Sequence, residues 1–302
     1  MTNIYDFLKF QPNVYRQFVC KDLLIAYYDC TQASKQEEFF SHFSYITFVV
    51  NGERCVHRRG KSWLLRPNAC LFFKKGALMQ DMYFSDNFRS LNLYLPDSYL
   101  QQQFKEYLKS RKTRNLINQP SEQVFELAVN QTTEGFIQAL LALFEQQPAP
   151  TDDIIEQRAR ELLFSFLLDQ DNKPLTTYLN SLINRRQTSL YEVMEANYMF
   201  NLSLEQFSRI ANRSLATFKR EFTRLFHTTP ARWLMQKRLT YAKTLLETTE
   251  LPVNDVAYES GFENTSHFSR VFKERFGLSP LFYRKQHHTV LIPEPQPALA
   301  IY

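Results

Sequence analysis

Glycine is scarce in this chain, with six among 302 residues. No phosphate-cradling P-loop is present, and no GxSxG nucleophile elbow, HExxH zinc motif or paired Cys/His ligand set. Without these carriers of chemistry, no catalytic residue, no metal and no cofactor is expected. Cysteine is sparse too. Cys20, Cys30, Cys55 and Cys70 all lie in the first quarter and form no CxxC, which reads as reduced, partly buried thiols. No apolar run reaches the ~18–20 residues of a membrane span. The opening "MTNIYDFLKFQPNVYRQF" has no apolar core of the signal-peptide kind, so a cytoplasmic location is expected.

What is present is a globular composition, with 44% hydrophobic and 15% aromatic residues and length enough for two domains. The formal net charge is +5, and its location matters more than its size. Residues 201–286 hold fourteen Lys and Arg against eight Asp and Glu, an excess of six, so the remainder sums to −1. A basic module joined to a near-neutral one fits a polyanion partner for that module.

Short β-branched and aromatic runs fill residues 1–95. "FSYITFVV" is followed by "NGE" at 51–53 and then by "RCVHRR", which reads as a hairpin. After Pro96 the apolar period becomes helical over 97–112, 121–146 and 152–169. "DQDNKP" at 169–174 reads as the end of a first domain, with a connecting segment to 187. The expected division is 1–170, a linker over 171–187, an all-helical domain over 188–286 and a tail over 287–302. The first of these is expected to be α+β, strands followed by helices.

An internal repeat marks the helical part. "ATFKREFTRLFHTTPARW" at 216–233 and "SHFSRVFKERFGLSPLFY" at 266–283 superpose with an offset of 50. Phe218, Phe222 and Phe226 match Phe268, Phe272 and Phe276. Each copy follows a short apolar helix and a turn, so each unit reads helix, tight turn, helix. On the second helix of each unit the phenylalanines form one stripe. Ala216, Lys219, Arg220 and Thr223, or Ser266, His267, Ser269, Arg270 and Lys273, fall on the other side. Cations mixed with short hydroxyl side chains suit base edges in a major groove, and helix N-termini suit phosphates. The joining helix of about sixteen residues, roughly 24 Å, can set two such helices about one DNA turn apart.

These residues resemble the DNA-binding domain of the AraC/XylS family of bacterial transcription regulators. The resemblance is carried by "RLTYAKTLL" at 238–246, "VNDVAYESGFENTSHFSRVFKERFGLSP" at 253–280 and "FYR" at 282–284. The first unit departs from it, since "ANRS" has no turn glycine and His227 stands where the second unit has Gly277. Carried over by position, the resemblance implies base contacts from Ala216, Lys219, Arg220, Ser266, His267 and Arg270. It implies phosphate contacts from Ser214, Thr217, Asn264, Thr265 and Lys273. It also implies a sequence-specific regulator, an activator working with RNA polymerase on double-stranded promoter DNA and so associated with the nucleoid. The N-terminal half is similar to the family's cupin-like β-barrel with helices. A small-molecule or protein effector is expected at 1–95, and homodimerisation through 97–169. The layout of 152–246 is similar to the branch that controls type III secretion.

Other features read as ordinary structure. His42 and His57 are expected to be plain strand histidines and not metal ligands, because no HxH pair or suitably placed Glu accompanies them. "HRRGK" at 57–61 reads as a solvated hairpin edge. Tyr5, Phe7, Tyr15, Phe18, Tyr27 and Tyr28 read as core aromatics, with an apolar ligand pocket as the alternative. The stripe Ile155, Leu162, Leu163 and Phe166 fits either a dimer seam or a domain core, and His287-His288 reads as solvated.

Overall fold

Alternation along the strands decides the architecture. In the computed structural model, which describes residues 1–12, 15–30, 37–58, 61–81, 87–109, 122–184 and 189–287, the chain order begins β1 (Thr2–Asn3), α1 (Ile4–Lys9), β2 (Arg16–Cys20) and β3 (Leu23–Cys30). It continues β4 (Glu37–Ser41), β5 (Ser44–Asn51), β6 (Arg54–Arg58), β7 (Lys61–Leu65), β8 (Cys70–Phe73), β9 (Gly76–Asp81) and β10 (Phe88–Leu95). Then follow α2 (Asp97–Lys109), β11 (Val124–Glu126), α3 (Gln131–Leu143), α4 (Asp152–Leu168), α5 (Lys173–Asn184), α6 (Leu190–Asn197) and α7 (Leu204–Ile210). The last elements are α8 (Leu215–Phe226), α9 (Pro230–Thr248), α10 (Val253–Glu259), α11 (Thr265–Phe276) and α12 (Pro280–His287).

The strands form two sheets, ordered β1-β4-β9-β6-β7 and β11-β8-β5-β10-β3-β2. In the second sheet, Leu24, Ala26, Tyr45, Val49, Leu71, Phe73 and Tyr94 share one buried cluster with Val56, Leu65 and Leu78 of the first sheet. The alternate residues Leu23, Ile25, Ile46, Phe48, Cys70, Phe72, Leu91 and Leu93 share another with α2, α3, α4 and α5. This sheet is thus covered on both faces. That explains why β5 is buried at six consecutive positions, whereas β6 alternates.

The Asn51-Gly52 turn does not close the hairpin the sequence suggested. β5 pairs with β8 and β10, while β6 pairs with β7 and β9. Both edges of β5 are taken, so the turn, with Gly52 at φ 77°, carries the chain from one sheet to the other. The hairpin is β6–β7 instead. Its "HRRGK" segment is not simply a solvated edge. Arg58 is 2% exposed, and Arg59 and Gly60 lie outside the described residues.

Arg58 organises a buried polar junction. It donates to the carbonyls of Lys74 (3.0 Å) and Lys75 (3.4 Å) and to Asn197 Oδ1 (3.3 Å). Asn197 Oδ1 also accepts from the Ala77 amide at 2.8 Å, and its Nδ2 donates to Val193 O at 2.7 Å. Gly76, at φ 138°, makes room, since a Cβ there would stand 2.1 Å from Arg58 Nη2 and 2.6 Å from Asn197 Oδ1. The end of α6 is thereby fixed to β6 and β9. Gln206 on α7 adds a bond to Met1 O (2.7 Å), and Arg209 pairs with Asp6 at 2.7 Å.

By packing, the chain therefore groups into two compact units, residues 1–197 with 202–218, and residues 198–201 with 219–302. The linker expected over 171–187 is core over its described part. Asn172 is fully buried and bonded to Ala128 N and O, and Leu175, Tyr178 and Leu179 of α5 pack beneath the sheet. Residues 185–188 lie outside the described residues, as does the tail from His288. The stripe Ile155, Leu162, Leu163 and Phe166 is inside the same core, each 3% exposed or less. Of the six aromatics, Tyr5, Phe7, Tyr15 and Tyr28 pack in or against the inter-sheet cluster, and Phe18 and Tyr27 meet Phe144. Cys20 and Cys70 are buried free thiols and Cys55 is half-buried, while the Cys30 side chain lies outside the described residues. His42 lies in the turn after β4, where its Nδ1 accepts from Asn3 Nδ2 at 2.8 Å. Burial, and then the Arg209 charge, push its pKa down to about 4. Among the described residues no helix is long and apolar enough to cross a membrane.

Replacing Asn197 with Ala strands the Ala77 amide and part of the Arg58 guanidinium in a dry interior. A loss of at least ~2 kcal/mol in urea unfolding is expected, against ~0.5 kcal/mol or less for Asn184→Ala on the surface.

Candidate nucleic-acid interface

The second helix pair is built around phenylalanine. α10 ends at Ser260, and Gly261 at φ 84° turns the chain. A Cβ at Gly261 would stand 2.7 Å from Met199 O and 2.9 Å from Arg238 Nε. Arg238 itself donates to Tyr198 O (2.8 Å) and Phe200 O (2.7 Å), which holds residues 198–201 on α9, and its burial lowers the guanidinium pKa. α11 starts at Asn264, whose Oδ1 accepts from the His267 amide at 2.8 Å, and stops at Gly277 with φ 82°. Phe268 and Phe272 are fully buried among Leu239, Ala242, Leu246, Val256, Ala257, Phe262 and Tyr283. Tyr283 Oη is anchored on Glu247 at 2.8 Å.

The first pair repeats this with different residues at the strained positions. α7 opens with a capping box between Ser203 and Gln206. Asn212 takes φ 55° where the other unit has Gly261, and His227 takes φ 52° where it has Gly277. The turn bonds correspond at an offset of 49: Arg213 N to Ser208 O (2.9 Å) matches Phe262 N to Ala257 O (3.0 Å). The second helices keep the offset of 50, so the second turn is one residue longer. Asparagine is the side chain that best tolerates the left-handed region, which is why "ANRS" turns without glycine. Within α8, Phe222 is fully buried, stacks on Phe226 at 4.4 Å between centroids and meets Trp233 edge-on at 6.0 Å.

The burial of these stripes leaves a defined outer face. Ala216, Lys219, Arg220 and Thr223 are exposed on α8, and Ser266, His267, Arg270 and Lys273 on α11. Leu215 is half-buried, as are Thr217 and Thr265. Ser214 and Asn264 are exposed, but their oxygens already cap their helices. Ser214 Oγ accepts from the Thr217 amide (3.2 Å) and donates to Thr217 Oγ1 (2.9 Å). Ser214 stands five residues before Lys219 and Asn264 six before Arg270, each at the N-cap of its helix.

Arg270 carries a feature that the sequence reading missed. Its Nη1 donates to Glu274 Oε1 at 2.8 Å and its Nη2 to His267 Nδ1 at 3.2 Å. An arginine can only donate, so His267 Nδ1 accepts and the ring proton sits on Nε2. The fork is thus laid along the helix before any partner arrives. The exposed i,i+4 pair with Glu274 is worth only ~0.5 kcal/mol, so a stronger acceptor displaces it readily.

The profile described as "Helix-turn-helix domain" matches residues 207–286, and the one described as "ExsA N-terminal regulatory domain" matches residues 44–178. The chain is 26% identical to the HTH-type transcriptional regulator ExsA of Pseudomonas aeruginosa, over 77% of this chain and 82% of that one. It is 27% identical to the virulence regulon transcriptional activator VirF of Yersinia enterocolitica, over 77% and 85%. Among solved structures, apo ToxT K231A of Vibrio cholerae aligns at 16% identity over 88% of this chain and 97% of its own, with a TM-score of 0.40.

The two left-handed side chains give a test of the local reading. His227 is exposed, so His227→Gly removes strain without removing packing and is expected to stabilise by ~0.5–1 kcal/mol. Gly277→Ala, at the matching position, is expected to destabilise by ~1 kcal/mol; thermal unfolding of both variants reads the opposite signs.

Proposed function

The chain belongs to the AraC/XylS family of bacterial transcription regulators, and from that premise we propose that α8 and α11 enter successive major grooves of one promoter. The carrying observation is the pair of exposed cationic faces, each seated on its own aromatic stripe. α9, between them, has 19 residues and is about 28 Å long, close to the ~34 Å of one DNA turn. Lys219, Arg220 and Arg270 donate to guanine edges in this reading, with Ala216, Ser266 and His267 filling the groove between them. Lys273, Thr217, Thr265 and the amides capped by Ser214 and Asn264 face the phosphates. Residues 188–286 act as the DNA-reading domain, RNA polymerase is the partner, and the outcome is activation. A homodimer through 97–169 would use exposed α4 residues such as Ile154 and Leu168, since the apolar stripe of that helix is spent in the core.

The N-terminal half serves as the effector-receiving part, and one observation favours a small molecule. A cavity lies inside the two-sheet unit, with an empty volume of about 620 Å³ including its open mouth. Arg54 lines it at 4% exposure, its guanidinium 4.2 Å from the Phe88 ring centre and 5.1 Å from that of Tyr28. Glu37 lines the cavity as well, and Arg54 is in none of the ion pairs among the described residues. A buried cation is stable when an anion meets it, and Tyr45, Thr47, Asn92 and Tyr94 supply polar atoms beside an apolar wall.

Two measurements test these readings. Arg270→Ala and Lys219→Ala are each expected to weaken specific promoter binding by ~1–3 kcal/mol and to relax preference at one base position, whereas Lys273→Ala weakens all sequences alike and lowers the salt slope by about 1. Undiminished footprints in the first two variants would remove the base-contact assignment. For the cavity, small apolar carboxylic acids are expected to raise the melting temperature, their amides are not, and Arg54→Met abolishes the shift.

A further inference from the structure

Cys55 and His57 stand two apart on β6, so they share one face of the strand. Asp81 on β9 is the direct cross-strand partner of Cys55. Arg54, Val56 and Gln80, which alternate with them, line the inner cavity, so this trio lies on the opposite, outer face of the sheet. All three side chains are half-buried, and their ligating atoms lie within 4.8 Å of one another.

The trio is also held in orientation. His57 Nδ1 is 2.7 Å from Ser62 Oγ on the neighbouring β7, and Nε2 is 2.6 Å from Asp81 Oδ2. A metal-ligating imidazole is usually fixed in this way, with one nitrogen turned to a hydroxyl or carbonyl and the other to the ion. The second carboxylate oxygen, Asp81 Oδ1, is buried with no hydrogen-bond donor. A buried, half-satisfied carboxylate beside a thiol is negative capacity that a cation would neutralise.

The geometry points to a divalent transition-metal site, of the zinc type, formed by Cys55, His57 and Asp81. A thiolate, an imidazole and a carboxylate are ligands that zinc prefers over calcium or magnesium, and a water would complete the tetrahedron. Thiolate and carboxylate together balance the two charges of the ion. On uptake the Cys55 S–H bond breaks, its proton goes to solvent and an S–metal bond forms. As a ligand the imidazole carries its one proton on Nδ1, donated to Ser62 Oγ, while Nε2 turns from Asp81 to the ion. A thiol that ligates as thiolate gives up its proton, so one proton is released per ion bound. The same strand carries Arg58, so an ion here would stiffen the segment that fixes α6.

The test uses the full reduced chain after treatment with a chelator. Titration with CoCl2 is expected to give tetrahedral visible bands with a thiolate-to-cobalt charge-transfer band, displaced by ZnCl2. Affinity is expected to rise about tenfold per pH unit, as release of one proton requires. Cys55→Ser, His57→Gln and Asp81→Asn are each expected to weaken zinc binding at least ~tenfold, and Cys55→Ser to abolish the charge-transfer band. Zinc binding at unchanged affinity in any of the three, or wild-type cobalt spectra without the thiolate band, overturns the site. Peptide mass spectrometry of the unmutated chain covers the case of a variant that fails to fold. ZnCl2 must slow alkylation of Cys55 by iodoacetamide, and an unchanged rate there also overturns it.

Discussion

A single buried guanidinium, Arg58, sets what the N-terminal half can be. A cation 2% exposed needs acceptors, and here the Lys74 and Lys75 carbonyls, between β8 and β9, and the Asn197 amide oxygen accept from its two terminal nitrogens. Gly76 is required because any side chain there would occupy the guanidinium's place. Asn197 is the last residue of α6, so satisfying Arg58 also fixes the end of that helix on β6 and β9. The polar junction therefore specifies one arrangement of strand and helix, where an apolar contact would tolerate several.

The six-stranded sheet meets a second constraint by carrying apolar side chains on both faces. One face closes over the inter-sheet cavity and the other over four helices. Function is then left to what the apolar layers do not consume. Arg54 lines the cavity, and Cys55, His57 and Asp81 gather on the opposite face of its sheet. Neighbouring residues of β6 thus serve opposite sides of one layer, which is the two-residue period put to two uses.

In the helical region the same division recurs with the helical period. Phe218 and Phe222, or Phe268 and Phe272, seat a helix, and the cations are what remain outside. The two units keep their helices in register but spend different turn residues, Asn212 and His227 against Gly261 and Gly277. Backbone shape is therefore shared where side chains are not. The Arg270 fork, laid between His267 and Glu274, is held along the helix at low energetic cost.

The sequence by itself determined the local features. The phenylalanine stripes, the exposed faces carrying Lys219 and Arg270 and the change from strands to helices after Pro96 follow from periods of two and 3.6, which need only near neighbours. The tertiary structure alone decided which strands pair, because Asn51-Gly52 looks the same whether it closes a hairpin or crosses between sheets. It alone showed that 171–184 is core, that the Ile155–Phe166 stripe faces inward, and that Arg58 is buried. Cys55 and His57 stand two apart in the sequence, but Asp81 reaches them only through the β6–β9 register. Long-range pairing depends on which edges and faces are already taken, and no short window of sequence holds that information.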